Sequence, residues 1–157
     1  MRGWFRQATL VAITSVSLIA AALAVDAKTS GSEKPHRLVI QVDQNDPAVM
    51  NLALNNASHV IEYYRARNED VEVDIVAYGP GLHMLRADTS PVQDRIKGLK
   101  DMLPPGKIHF SACDHSKQGM EKTEGHAISV LPGATIVPSG VVRLMELQEQ
   151  GWSYIRP

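Results

Sequence analysis

Lys107-Ile108-His109-Phe110-Ser111-Ala112-Cys113 alternates apolar with small or polar residues and ends in the only cysteine of the 157-residue chain. The alternation predicts a strand, and Asp114-His115-Ser116 behind it reads as a helix start. A strand that feeds a helix is half of a parallel βαβ unit. In open parallel sheets, ligands bind at the loops beyond the carboxyl ends of the strands. Backbone N–H groups at a helix start also favour anions, a thiolate among them. Any chemistry is therefore expected at this junction.

The same strand-then-helix pattern extends outward on both sides. Residues 37–43 are β-branched and apolar enough for a first strand buried on both faces. Asp46-Pro47 then starts a helix, Asp capping free N–H groups and Pro taking the first helical position. That helix is predicted to run to about Arg67, with Met50, Leu54, Ala57, Ile61 and Tyr64 on one apolar face. Asn51, Asn55, Asn56 and His59 form a polar face, either solvated or in contact with another subunit. Residues 71–78 read as the second strand, and Gly79-Pro80-Gly81 turns the backbone sharply off it. A helical stretch is expected from Leu82, a break at Asp88-Thr89-Ser90-Pro91, and a helix capped by Ser90 reaching about Met102.

Beyond the cysteine, a short polar helix should run to Thr123 and stop at Gly125. Residues 134–137 form the fourth predicted strand. Pro138-Ser139-Gly140 opens a helix whose Val142, Met145 and Leu147 are expected to pack inward, with Gly151 ending it and residues 152–155 as a closing strand. Strands alternating with helices over about 120 residues imply an α/β three-layer sandwich on a parallel sheet of about five strands. In that fold Asp43, Gly79-Pro80-Gly81, the segment Cys113, Asp114, His115 and Ser116, and Pro138-Ser139-Gly140 all follow strands. They should gather along one rim.

The apolar fraction of 44% and the charged fraction of 21% suit one ordinary globular domain. A formal net charge of -1 gives no electrostatic case for nucleic acid or an anionic membrane surface, and neither is expected as a partner. Residues 1–24 have the layout of a secretory signal peptide: Arg2 and Arg6, an uncharged apolar run from Ala8, and small residues at Ala22 and Ala24. A cut after Ala27 is the alternative, as is retention as an anchor. Residues 25–35 then form a flexible lead and 36–157 a single domain, placed in the periplasm or secreted, with no membrane contact after cleavage. One cysteine in an exported chain makes no internal disulfide. It is a reactive site, an intermolecular pair or a buried apolar residue.

Gly79-Pro80-Gly81, Phe110-Ser111-Ala112-Cys113, Val137-Pro138-Ser139-Gly140-Val141 and Gln150-Gly151-Trp152-Ser153-Tyr154-Ile155 together resemble the DsrE/DsrF-like family of small sulfur-relay and related proteins. The resemblance covers the chain from about His36. It implies a flavodoxin-like parallel sheet and a homo-oligomer, often a trimer or hexamer. In members that relay sulfur, a cysteine after the third strand carries a persulfide, and Cys113 matches that position. The export signal and Asp114-His115-Ser116-Lys117 depart from the pattern.

Two readings of function follow. In the first, Cys113 takes sulfane sulfur from a donor and passes it on, possible partners being donor and acceptor proteins. His115, when protonated, favours the thiolate, and Asp114 disfavours it. In the second, the protein is a non-enzymatic oligomeric module whose rim holds a small ligand, a partner protein or a soft metal. The metal set would be Cys113, His115, Met120 and His126, with His83 near the same rim, suited to Cu(I) or Zn but without a tightly spaced ligand pair. His109, inside the strand, is read as a hydrogen-bonded core or face histidine. Gly79-Pro80-Gly81 lacks the further glycines or the Gly-Lys-Ser/Thr end of a nucleotide loop, so it shapes the rim, and no cofactor is expected. No nucleophile elbow surrounds Ser111, Ser116 or Ser139.

Overall fold

In the computed structural model, residues 34–157 apart from Met102 are described, and they alternate strand with helix. The order is β1 (His36–Val42), α1 (Pro47–Arg65), β2 (Val71–Ala77), a 3-10 helix (Gly79–Leu85), α2 (Gln93–Asp101), β3 (Ile108–Cys113), α3 (Asp114–Glu124), β4 (Thr135–Val137), α4 (Gly140–Glu149) and β5 (Ser153–Ile155). The expected signal peptide, both its cleavage points and most of the lead lie outside the described residues.

The five strands form one all-parallel sheet in the order β4-β3-β2-β1-β5, with helices on both faces. This is the α/β three-layer sandwich that the strand–helix alternation implies. β1 and β2 pair along their whole length, from His36 opposite Val71 to Val42 opposite Ala77. The central strands are apolar on both sides because helices cover both.

The two faces are covered very unequally. Leu38, Ile40 and Val42 of β1, Val73 and Ile75 of β2 and Phe110 of β3 face a core completed by Met50, Leu54 and Ile61 of α1, Leu82 and Leu85, and Ile96 and Leu99 of α2. The opposite face carries a much smaller cluster, Val39 and Val76 against Leu144 and Leu147 of α4. Full burial of a Leu side chain contributes about 1.5–3 kcal/mol. α4 therefore sits on the sheet by two such residues and by the polar contacts described below.

Three local expectations are corrected. Val142 and Met145 do not pack inward: they are 49% and 55% exposed, with Val141 at 50%. Gly140, Leu144 and Leu147, at spacings of four and three, form the buried stripe instead, so Val142 and Met145 are rotated off it. The helix after Ser90 begins at Gln93 rather than Pro91; the Ser90 hydroxyl does accept the Val92 N–H at 3.4 Å, and it also donates to the Met84 carbonyl at 2.6 Å, closing the preceding 3-10 helix. That 3-10 helix also takes in Gly79-Pro80-Gly81 itself, one turn earlier than the sequence suggests.

The polar face of α1 has a definite use. Arg95 of α2 donates to the side-chain oxygens of Asn51 and Asn55, which ties the two helices together. Farther along α2, a Cβ built on Gly98 would have no atom within 4 Å. Gly98→Ala is expected to stabilise the fold by about 0.5–1 kcal/mol through helix propensity alone. A urea midpoint equal to or below that of the parent would contradict this.

Candidate functional site

The carboxyl ends of the strands do form one rim, and short hydrogen bonds join its loops. Cys113 ends β3 and is the N-cap of α3, its sulfur accepting the Ser116 N–H at 3.4 Å. The Ser116 hydroxyl in turn accepts the Gly79 N–H at 2.7 Å, which ties the end of β2 to the start of α3. The His115 N–H donates to the Pro138 carbonyl at 3.3 Å and brings in the end of β4. Gly81 packs so closely on the end of β1 that an added Cβ would lie 2.3 Å from the Val42 carbonyl oxygen. Gly140 likewise meets Tyr78, whose Cβ would be 2.7 Å from an added Cβ. The structure brings Gly79, Gly81, Cys113, Ser116 and Gly140 to one rim, and Gly81 and Gly140 are there because the loops nearly touch.

Several rim residues have structural employment. The Ser139 hydroxyl accepts the Val142 N–H and caps α4. Asp43 pairs with Arg156 at 2.9 Å and accepts from the Gln41 amide at 3.0 Å, and Tyr154 donates to Gln41. Burial, then the neighbouring Asp43 and Tyr154, push the Tyr78 phenol above its usual range, with Arg156 opposing. Asp114 accepts from Gln118 one turn on, and His115 is exposed. His109 is also exposed, donating or accepting at Nε2 with the Gly106 carbonyl, 3.0 Å away.

Cys113 is only 4% exposed, which departs from the displayed sulfur that a rim position suggests. Its side chain caps α3 by accepting the Ser116 N–H, and the next two residues of the rim, His115 and Ser116, hold the loops that carry Pro138 and Gly79. The adjacent open groove, of about 410 Å³, is lined by Gly79, Pro80, His83, Ser116, Met120 and Glu124 but not by Cys113. Ser116 touches both, so the sulfur and the groove are separated by one side chain.

The soft-metal set does not assemble. Cys113, His115 and His126 share no coordination sphere, and the ligand atoms that do approach one another are those of Asp88, Glu124 and His126, all within 4.8 Å. Two of these are already committed to Arg86, a residue the sequence reading missed. Arg86 is 1% exposed and pairs with Asp88 at 2.7 Å and Glu124 through both guanidinium nitrogens, with the Met120 sulfur 3.7 Å from Nη1. The guanidinium holds the Asp88 carboxyl down to about 2 and lowers that of Glu124. This pair fastens the end of α3 to the segment after the 3-10 helix and closes one end of the groove.

A second buried network also escaped the sequence reading. Asp74 is fully buried in the middle of β2. It accepts from the Ser111 hydroxyl at 2.9 Å and from Arg143 of α4 at 2.8 Å. A carboxylate alternating with Glu72 along a strand resembles a solvated face in sequence. Only the arrival of α4 with its arginine reveals the burial.

No protein-family model matches this chain, and no curated protein does. Among solved structures, the chain is similar to the protein of unknown function MTH1491 from Methanobacterium thermoautotrophicum, with 28% identity and a TM-score of 0.63. The match covers 78% of this chain and 99% of that one. A TM-score of 0.63 over that share accords with the α/β fold described here.

Proposed function

We propose that this is an exported sulfur-handling protein in which Cys113 accepts a sulfane sulfur as a persulfide and passes it to an acceptor. The observation that carries the reading is the position of the sulfur: it ends a central parallel strand and accepts an N–H at the start of α3. Such a position puts Sγ beside the backbone N–H groups that open α3, at the carboxyl end of a parallel strand where ligands of open sheets bind. Exposed His115, two residues on, offers an imidazole at the same rim for proton exchange with solvent. With Cys113 4% exposed, transfer needs the loops holding Gly79 and Pro138 to part, and a docking partner could drive that step.

We further propose that copies of the chain associate. Val141, Val142 and Met145 on α4 are each about half exposed in one stretch, the kind of patch that a partner surface covers.

The groove supports a second reading. It is open, mostly apolar in its lining with a few polar groups, and lined by the rim glycine and serine but not by the cysteine, which suits a non-enzymatic module for a small ligand or a partner segment. Incubation with polysulfide followed by intact mass measurement separates the two. The carrier reading expects whole sulfur masses added to the parent and absent from Cys113→Ser. An unmodified parent that also resists thiol reagents until it is unfolded leaves the module.

A further inference from the structure

We propose that the groove between the 3-10 helix and α3 binds small organic cations, amines with an apolar body, the ammonium meeting Glu124 and the body lying on Pro80 and Met120. The inference rests on the second reading above, in which the groove is a ligand site, and names its ligand class.

Among the described α-helices, α3 alone has no buried residue. Ser116, Gly119, Met120 and Thr123, at spacings of three and four, form one stripe along it, and all four line the groove. Of these only Met120 also packs against the core, and it does so partly buried. Gly119 sits in the middle of α3, where glycine weakens a helix, yet a Cβ built on it meets no atom within 4 Å. No packing contact requires the glycine, and its lack of a side chain keeps the middle of the groove clear. The groove opens where Gly79, just past β2, meets Ser116 at the start of α3, the rim at which open parallel sheets take ligands. Its volume of about 410 Å³ is in the range of small-molecule sites.

The charge of the ligand follows from the charge of the lining. Among the described residues Glu124 is the only carboxylate that lines the groove, and no lysine or arginine does. Behind it Arg86 gives Nη1 to Oε1 and Nη2 to Oε2, and pairs with Asp88 as well. One guanidinium thus faces two carboxylates, and the surplus is negative. Arg86 also holds the Glu124 carboxyl below its usual range, so the charge is present at neutral pH. Each carboxylate oxygen has a second lone pair, so Glu124 can accept from an ammonium without releasing Arg86. His126 approaches Oε2 at 3.3 Å, which leaves Oε1 the freer of the two. Glu124 is moreover the last residue of α3, and a helix carboxyl end favours cations. Pro80 and the polarizable Met120 thioether supply the apolar contact for the rest of the ligand.

The test titrates the full chain with three probes that share one apolar body: 2-phenylethylamine, neutral 2-phenylethanol and anionic 3-phenylpropionate. Saturable NMR shifts of the Gly79, Ser116 and Gly119 amides locate the binding. The amine should bind about fivefold more tightly than the alcohol, and the anion more weakly than either. In Glu124→Gln, which keeps Asp88 opposite Arg86, the amine should fall to the level of the alcohol. Added salt should give the same answer in the parent without any substitution, weakening the amine and sparing the alcohol. Gly119→Leu, whose side chain enters open space, should remain folded and lose all three probes. Equal binding of amine and alcohol in the parent, or an amine preference that survives both Glu124→Gln and salt, overturns the cation class. The groove then stands as a ligand site, with Gly119→Leu still blocking it. No shift at those amides with any probe overturns the groove reading and the cation class together.

Discussion

Converting Asp88 to Asn and Glu124 to Gln together is expected to destabilise the fold by about 3–5 kcal/mol, because it leaves the Arg86 charge buried without compensation. The carboxylates themselves are 47% and 32% exposed and well screened, whereas Arg86 is 1% exposed, so the penalty falls on the guanidinium. Urea unfolding should show it as a lower midpoint at unchanged slope. Arg86→Met should cost far less, since both carboxylates return to water and an apolar chain fits beside Met120. The same pair sets an acid limit. Folded Asp88 and Glu124 titrate below their unfolded values of 3.8 and 4.5, so the unfolded chain binds more protons at low pH. Their contribution is complete above about pH 5 and is lost progressively as pH falls toward the Asp88 value of about 2. Thermal unfolding followed between these limits should steepen in the parent and flatten in Arg86→Met. Equal acid profiles for the two would remove the ion pair from the explanation.

The other large effect is expected at Gly81→Ala. Its methyl group would sit 2.3 Å from the Val42 carbonyl oxygen, 2.6 Å from the carbonyl carbon and 2.8 Å from the Asp43 Cα, all backbone atoms at the end of β1 and just beyond it. A side chain can rotate away, but these atoms are held by the β1–β2 ladder, where Val42 pairs with Ala77. The 3-10 helix must lift instead, at a cost of about 3 kcal/mol or the loss of that helix from the core. Leu82, Met84 and Leu85, all fully buried, move with it. The Gly79 N–H would then leave Ser116, so thiol reagents should reach Cys113 faster in this variant than in the parent. Unchanged stability together with unchanged Cys113 reactivity would show that the loop is softer than its contacts imply.

Much of the architecture was legible because it rests on local signals. Asp46-Pro47 does start α1, with the Asp46 side chain accepting the Ala48 N–H at 2.7 Å, and Gly125 adopts the left-handed conformation that ends α3. The apolar runs fell on the strands because both faces are covered. What failed depended on partners distant in sequence. Val142 and Met145 look like core residues in a helix with apolar neighbours on several sides, and only the seating of α4 on Val39 and Val76 decides which stripe is buried. Arg86 and Asp74 are charges that sequence reading assigns to solvent. Asp88 sits only two residues from Arg86, but Glu124 lies 38 positions from Arg86, and Arg143 lies 69 from Asp74, too far for any periodicity to report. The position of Cys113 was likewise legible and its burial was not, because the rim around it is drawn together by bonds from His115 and Ser116 to the distant loops after β4 and β2.

The strand order carries a consequence for how the chain matures. Of the five strands, β5 comes last in chain order and lies against β1, which comes first, with Leu38 opposite Ser153 and Ile40 opposite Ile155. Until β5 is made, β1 has an unclaimed backbone edge, open to any extended segment nearby. Joining them closes a loop of nearly the whole sheet, an entropic step that local helix formation does not share. A chain delivered vectorially would therefore hold β1 in waiting while the other four strands are made. Loss of β5 would leave that vacancy permanent, an invitation to aggregate rather than a mere loss of three residues.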